Sequence, residues 1–169
     1  DLHAFEIVFF RNLLGSLVIL PWFVRNGLSP LKTDHAWLHV LRVSISLISI
    51  ITFYMALILA PLAQVTALSF LGPIIGTLLA TLFLGEVVRV RRWVAILLGF
   101  AGTIVVLEPG MGKFELGTIL ALASAIGWGI SMTLVKIVSR TDSSVTIISY
   151  NQVLMTPLAF LAAIFVWQW

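Results

Sequence analysis

Residues 43–85 read VSISLISIITFYMALILAPLAQVTALSFLGPIIGTLLATLFLG and contain no charged residue. A helix crosses the bilayer core with about 20 apolar residues, because each residue adds 1.5 Å. The stretch is therefore too long for one span. Pro61 and Gln64 lie near its middle, and proline cannot donate a backbone hydrogen bond inside a helix. The stretch predicts two membrane-spanning helices joined by a tight turn.

The composition of the whole chain favours the same class. Apolar residues make up 60% and charged residues 10% of the sequence, whereas soluble domains hold about 45–50% and about 25%. The absence of cysteine excludes disulfide scaffolds, thiolate metal sites and cysteine nucleophiles. We therefore predict an all-α, polytopic transmembrane helix bundle in the cell membrane, plasma or inner, with the lipid bilayer as its first partner.

Six apolar segments have the composition of spanning helices. The chain begins with Asp1 and ends at Trp169 inside an apolar run, so we expect it to be a fragment of a longer protein. The predicted spans are residues 5–24, 38–59, 65–84, 93–107, 116–135 and 145–169.

Basic residues between these spans predict the orientation. Cytoplasmic loops of membrane proteins are enriched in lysine and arginine. The other side of this bundle has the uncharged turn at Pro61 and the loop 108–115, in which Lys113 is the one basic residue. The net charge of +3 is thus explained by loop ends, and we predict no nucleic-acid partner. The residues assigned to the cytoplasmic side are Arg25, Lys32, Arg42, Arg89, Arg91, Arg92, Lys136 and Arg140.

Small residues recur at helical spacing in three spans, which predicts close helix packing. Small side chains let helix backbones approach closely in a membrane. The three stripes are Gly117, Ala121, Ala125 and Gly129; Gly72 and Gly76; and Ala95, Gly99 and Thr103.

A series of short motifs resembles a known family. They are FYMAL at 53–57, APLA at 60–63, SFLGP at 69–73, FLGE at 83–86, RW at 92–93, GFAG at 99–102 and EPG at 108–110. Their order and spacing resemble the EamA-type transporters of the drug/metabolite transporter superfamily. The resemblance covers nearly the whole chain.

This resemblance implies ten spans built from two inverted five-span repeats, of which the chain would hold spans two to seven. Residues 1–108 would form most of the first repeat, 109–116 the inter-repeat loop and 117–169 the start of the second repeat. The implied function is secondary transport of a small metabolite or drug-like solute by alternating access, without enzymatic activity. A second copy of the chain, in a homodimer, is a further possible partner.

Aligning Phe10 with Tyr150 offers a check on the repeats. It pairs Asn12 with Gln152 and Ser16 with Thr156. Five spans separate the two helices, so they should run in opposite directions, as in inverted repeats whose substrate site lies near the midplane.

Polar residues inside the first and last spans are candidates for the solute pathway. Arg11 lies within the first span, where a charge by default marks a functional site. Its alternative role is structural, as a partner of Glu6. Asn12, Asn151 and Gln152 carry amides that bind the solute or bridge helices.

Three further candidates come from the resemblance, because their spans line the central cavity in the family. They are Tyr54, Ser69 and Trp128, for which helix packing is the alternative. We predict a gating or structural role for Gln64 at the outer turn and for Pro73, which would kink the third span. Glu86 would pair with Arg89 on a continuing helix.

Motifs of catalysis and nucleotide binding are absent from the sequence. Gly112–Lys113 lacks the other residues of a P-loop, and there is no H-E-x-x-H or G-x-S-x-G motif. The three histidines, His3, His35 and His39, lie at span ends or in loops. We predict no catalytic residue, metal or cofactor. A scaffold or sensor subunit and a lipid-modifying membrane enzyme remain as alternative functions.

Overall fold

A computed structural model of the chain describes residues 4–27, 31–87, 89–107 and 115–164, and within these ranges the regular structure is helical. Seven helices follow one another: α1 (Ala4–Asn26), α2 (Ala36–Leu59), α3 (Leu62–Ser69), α4 (Leu71–Leu84), α5 (Val90–Leu107), α6 (Leu116–Val138) and α7 (Ser144–Ile164).

These helices confirm the predicted class. Four segments are long and apolar enough to cross a membrane: Ala36–Leu59, Leu62–Leu84, Leu116–Val138 and Ser144–Leu161. Helix α1 contains a shorter apolar stretch, Phe9–Val18. The protein is a multi-pass helical membrane protein. Most of the predicted inter-repeat loop 109–116 lies outside the described residues.

The turn predicted within the uncharged stretch is present. Helix α2 ends at Leu59, and α3 begins after Pro61, whose φ of −57° and ψ of 137° take the backbone out of the helical conformation. Proline can occupy this position because the first amides of a helix have no intrahelical partner.

The third predicted span is one apolar segment, Leu62–Leu84, with a distorted turn at Phe70 between α3 and α4. Phe70 keeps helical backbone angles, with a φ of −64° and a ψ of −17°. Its amide donates to the carbonyl of Ala67, three residues earlier, at 3.2 Å, and the Thr103 hydroxyl donates to the same carbonyl at 3.2 Å. Pro73 follows in the first turn of α4 and has no N–H to donate to the carbonyl four residues before it. A distorted turn is stable in a membrane only where other groups satisfy its backbone.

The expected pairing of Glu86 with Arg89 is wrong. Gly85 ends α4 with a φ of 63°, a left-handed conformation that glycine adopts without strain. The helix therefore does not continue, and the three-residue helical spacing is lost. Glu86 contacts Arg92 instead, at 3.2 Å.

The chain divides into two compact units, with the boundaries inside α2 and α6. The first unit comprises residues 1–47 and 134–169, which include α1, the start of α2 and α7. The second comprises residues 48–133, which include the rest of α2, α3 to α5 and most of α6.

Close backbone contact between α4 and α6 organises the second unit. A Cβ atom on Gly76 would lie 3.2 Å from the carbonyl oxygen of Gly129. On Gly129 it would lie 2.6 Å from Ile75 Cγ2 and 3.0 Å from the carbonyl oxygen of Gly72. Two of the three predicted small-residue stripes, those of α4 and α6, thus meet each other. The buried side chains of Ala56, Val65, Leu68 and Ala121 form the neighbouring apolar core.

We expect Gly129→Ala to destabilise the second unit by about 1–3 kcal/mol, because the added methyl meets a β-branched side chain and a backbone oxygen. Gly102→Ala is the matched control. Nothing lies within 4 Å of its added Cβ, so it should leave stability unchanged or raise it by about 0.5–1 kcal/mol. Thermal unfolding in one detergent compares the two variants. Equal melting temperatures would show that α4 and α6 do not meet at these glycines.

Candidate functional site

The first unit contains a polar cluster between the start of α2 and the start of α7 with the loop before it, formed by His39, Arg42, Asp142, Tyr150 and Asn151. His39 and Arg42 are buried, and the other three are half-buried. Arg42 is 5% exposed and lies in the second turn of α2. Its Nη1 donates to Asn151 Oδ1 at 3.4 Å, and its Nη2 donates to the carbonyl of Ile147 at 3.1 Å. Its Nε is buried and has no hydrogen-bond partner. The cluster therefore holds a cation whose described hydrogen-bond partners are both neutral.

His39 connects the start of α2 to the loop before α7. Its Nε2 lies 2.7 Å from Asp142 Oδ2, and because a carboxylate only accepts, this nitrogen is the donor. The His39 ring stacks on Tyr150 with centroids 4.5 Å apart. The Tyr150 hydroxyl donates to the carbonyl of Leu31 at 2.9 Å, and Thr33 donates to Asp142 at 2.8 Å. These contacts join three chain segments at one end of the unit.

The Asp142 carboxyl lies outside the spanning helices. Burial raises its pKa, but the hydrogen bonds from His39 and Thr33 and the charges of His39 and His35 together lower the pKa by more. The net effect is a pKa below the ordinary value of an aspartate. Asp142 is therefore a carboxylate at neutral pH, which suits its role as acceptor.

A polar cavity of about 350 Å³ lies beside this carboxylate. Asp142 lines this cavity, which lies at the same end of the unit as His39. Its lining residues are Lys32, Thr33, Asp34, His35, Thr141 and Asp142.

Helices α1 and α7 also meet through polar groups. The hydroxyls of Ser16 and Thr156 lie 2.8 Å apart, and the side chain of Gln152 packs on Gly15. Phe9 packs against Phe160 with ring centroids 5.2 Å apart. Contacts move to lower numbers in α7 as they move to higher numbers in α1, so the two helices run antiparallel. Ser16 and Thr156 are also the residues that the repeat alignment pairs.

The structure separates the predicted pathway residues of the first unit. Asn12 is 5% exposed, and its carbonyl accepts from Thr156 at 3.4 Å. Asn151 belongs to the polar cluster, and Gln152 faces α1. Arg11 is exposed, so α1 does not bring it to the cluster. The side chain of Glu6, its alternative partner, lies outside the described residues.

The candidates of the second unit make structural contacts. Trp128 stacks on Phe53 with centroids 5.6 Å apart, and Tyr54 packs edge-on against the same ring at 6.0 Å. The Ser69 hydroxyl donates to the carbonyl of Thr66 within α3. Gln64 donates to Thr118 at 2.9 Å and so bridges α3 to α6.

The turn at Phe70 between α3 and α4 borders an apolar cavity of about 330 Å³ in the second unit. Pro73, the predicted kink residue, lies three residues beyond Phe70. The residues that line the cavity are Ala67, Phe70, Gly99, Gly102 and Thr103.

Sequence reasoning missed the polar cluster. It assigned Arg42 to a loop end, whereas the residue lies in α2 and is buried. It assigned His39 to a span end, which is correct, but gave it no partner. The available signal was the three-residue spacing of His39 and Arg42, which places both on one face of a helix. Their partners, more than 100 residues away, carry no comparable signal.

Metal ligands do not cluster in the described part of the chain, where no three histidine, aspartate or glutamate side chains come together. In the cluster, the Arg42 guanidinium offers hydrogen-bond donors and a positive charge, whereas the Asp142 carboxylate is contacted by His39 and Thr33. Its chemistry suits recognition of a polar or anionic group.

Comparison with known proteins places the chain in a family. The profile of the EamA-like transporter family matches residues 1–108. An S-adenosylmethionine uptake transporter of Rickettsia bellii is 29% identical over 166 residues, covering 98% of this chain and 57% of the relative. A riboflavin transporter of Vibrio cholerae is 36% identical over 157 residues, covering 92% of this chain and 53% of the relative. No solved structure matches the chain.

These matches show that the chain belongs to the EamA-like transporter family. Its relatives are named as transporters of small metabolites and not as enzymes. The chain spans about half the length of the relatives that it matches.

We expect Asp142→Asn to destabilise the protein by about 1–3 kcal/mol at neutral pH, because it weakens hydrogen bonds to a charged acceptor. A carboxyl with a lowered pKa stabilises the fold above its ordinary pKa and loses this effect as the pH falls through the lowered pKa. The difference from the unmodified protein should therefore persist above about pH 4 and close only in stronger acid.

The matched control is Asp34→Asn, which removes an exposed acid from the same cavity. Chemical unfolding in detergent at several pH values measures both variants. A loss of stability that is equal for Asp34→Asn and Asp142→Asn would contradict the assigned contacts.

Proposed function

We propose that the chain is part of a secondary carrier that moves a small amphipathic metabolite across the cell membrane by alternating access. The observation that carries the proposal is the polar cluster between α2 and α7, in which Arg42 is a buried cation. Ionisable groups inside spanning helices are expensive and by default mark a solute or ion pathway. Membership of a transporter family supports the same function.

We propose further that residues 1–108 form most of one repeat, 109–116 the connecting loop and 117–169 the start of an inverted second repeat. The antiparallel packing of α1 and α7 supports this organisation. So does the contact of Ser16 with Thr156, because residues related by a two-fold axis touch each other where the axis passes between them.

The apolar cavity beside the turn at Phe70 in the second unit agrees with a carrier. An apolar wall with a few polar groups suits an amphipathic solute.

We propose as solute a flat heteroaromatic compound with a polar chain. This description fits S-adenosylmethionine and riboflavin, the compounds in the names of two relatives. The pathway residues predicted from the sequence remain proposals, namely Tyr54, Ser69 and Trp128 in the second unit and Arg11, Asn12, Asn151 and Gln152 in the first. Gln64, Pro73 and Glu86 remain proposed gating or structural residues.

The test is uptake of labelled S-adenosylmethionine and labelled riboflavin into vesicles that hold the full-length protein. Uptake is measured with an ion gradient and after the gradient is collapsed. We expect a saturable rate for at least one compound and its loss with the gradient. A well-folded full-length protein that carries neither compound would favour the scaffold or enzyme function.

Gln152→Leu separates a role in transport from a role in folding. The Oε1 atom of Gln152 is buried without a hydrogen-bond partner, and replacing such a group by an apolar one of similar shape is neutral or stabilising. We expect unchanged or higher thermal stability, together with roughly a tenfold loss of uptake from one lost solute hydrogen bond.

Val153→Leu, an exposed substitution one residue further along α7, is the control and should change neither quantity. If Gln152→Leu lowered stability and left uptake intact, the amide would be a helix bridge.

A further inference from the structure

We propose that Arg42 is the residue that binds the anionic group of the solute, and that this group is a carboxylate. The inference rests on the proposed function and deepens it, because it selects one chemical class of solute. Its starting point is the positive charge of Arg42, which has no opposite charge beside it among the described residues.

No carboxylate among the described residues lies within ion-pair distance of Arg42. The two ion pairs found there are His39 with Asp142 and Arg92 with Glu86. Asp142, although in the same cluster, is occupied by His39 and Thr33. A buried charge is ordinarily paired or neutralised. Among the described residues, Arg42 thus has no opposite charge to compensate it.

The hydrogen bonds of Arg42 leave one edge of its guanidinium, which is buried, without a partner among the described residues. The group has five N–H donors. One is used by Asn151 and one by Ile147, whereas Nε has no partner. In a guanidinium, the N–H of Nε lies side by side with one N–H of the adjacent Nη. This pair matches the two oxygens of a carboxylate.

The balance of charge favours a carboxylate over a phosphate. Arg42 supplies one positive charge, and its described partners Asn151 and Ile147 are neutral. A phosphate monoester carries about 1.5–2 negative charges at neutral pH, which would leave part of its charge buried and uncompensated. A single carboxylate compensates Arg42 and leaves no excess.

The probes for the test are S-adenosylmethionine and its decarboxylated form, which differ by the carboxylate alone. Equilibrium binding of each is measured on the purified full-length protein. We expect the unmodified protein to bind S-adenosylmethionine roughly tenfold to a hundredfold more tightly, the effect of hydrogen bonds to a charged group. Arg42→Gln should remove this preference and leave binding of the decarboxylated probe unchanged. Arg91→Gln removes an exposed arginine of α5 and should change neither affinity.

A second variant, Asn151→Asp, tests whether the lost preference in Arg42→Gln comes from altered folding. Asn151 Oδ1 lies 3.4 Å from Arg42 Nη1, so an aspartate there would supply the missing negative charge from within the protein. We expect a melting temperature equal to or above that of the unmodified protein, together with loss of the preference for S-adenosylmethionine. A purely structural Arg42 would not lose a ligand preference in a stabilised variant.

The inference is wrong if the unmodified protein binds both probes equally, or if Arg42→Gln weakens both by the same factor. It is also wrong if the protein carries riboflavin but binds neither probe, in which case the proposed transport function stands. The opposite result, discrimination between the probes without uptake of any solute, would keep the anion site and overturn the transport function.

Discussion

The absence of water in the bilayer core is the constraint on which this structure depends. Every backbone amide and carbonyl at membrane depth must find a partner within the protein, and helices provide this for each residue in turn. The turn at Phe70 shows how the rule is met where a helix is distorted. The carbonyl of Ala67 accepts from Phe70, three residues later, and from Thr103 of another helix. The distorted turn is therefore supported by the packing of α3 against α5.

The same constraint changes what holds the helices together. Lipid is as apolar as a leucine side chain, so burial of apolar surface does not drive helices together as it does in water. Close approach and polar contacts take its place. In the second unit, Gly76 and Gly129 bring two backbones together, and Gln64 bonds to Thr118. In the first unit, Ser16 meets Thr156. These contacts place polar groups inside the bundle, where a solute pathway would need them.

The fold was accessible from sequence to a greater degree than the site. Span positions follow from local composition, and the predicted span 38–59 differs from α2, Ala36–Leu59, by two residues at one end. The side-chain partner of Arg42, in contrast, does not follow from local composition. An arginine four residues inside a span reads as a loop-end charge unless the partner helix is known, and Asn151 is 109 residues away. Gly85 shows that sequence prediction also fails at shorter range. Its positive φ ends α4, so Glu86 and Arg89 do not share a helix.

The buried state of Arg42 bears on whether this family member carries a solute or only supports an assembly. Replacing buried ionic groups by well-packed apolar residues is often neutral or stabilising, so a scaffold gains nothing from a guanidinium that no described carboxylate neutralises. Asn151 and Ile147 provide hydrogen-bond acceptors but no charge. A carrier, in contrast, must leave some of its binding groups unsatisfied when empty, because a group already paired within the protein has nothing to offer the solute. The incomplete pairing of Arg42 is thus a disadvantage for stability alone and a requirement for binding.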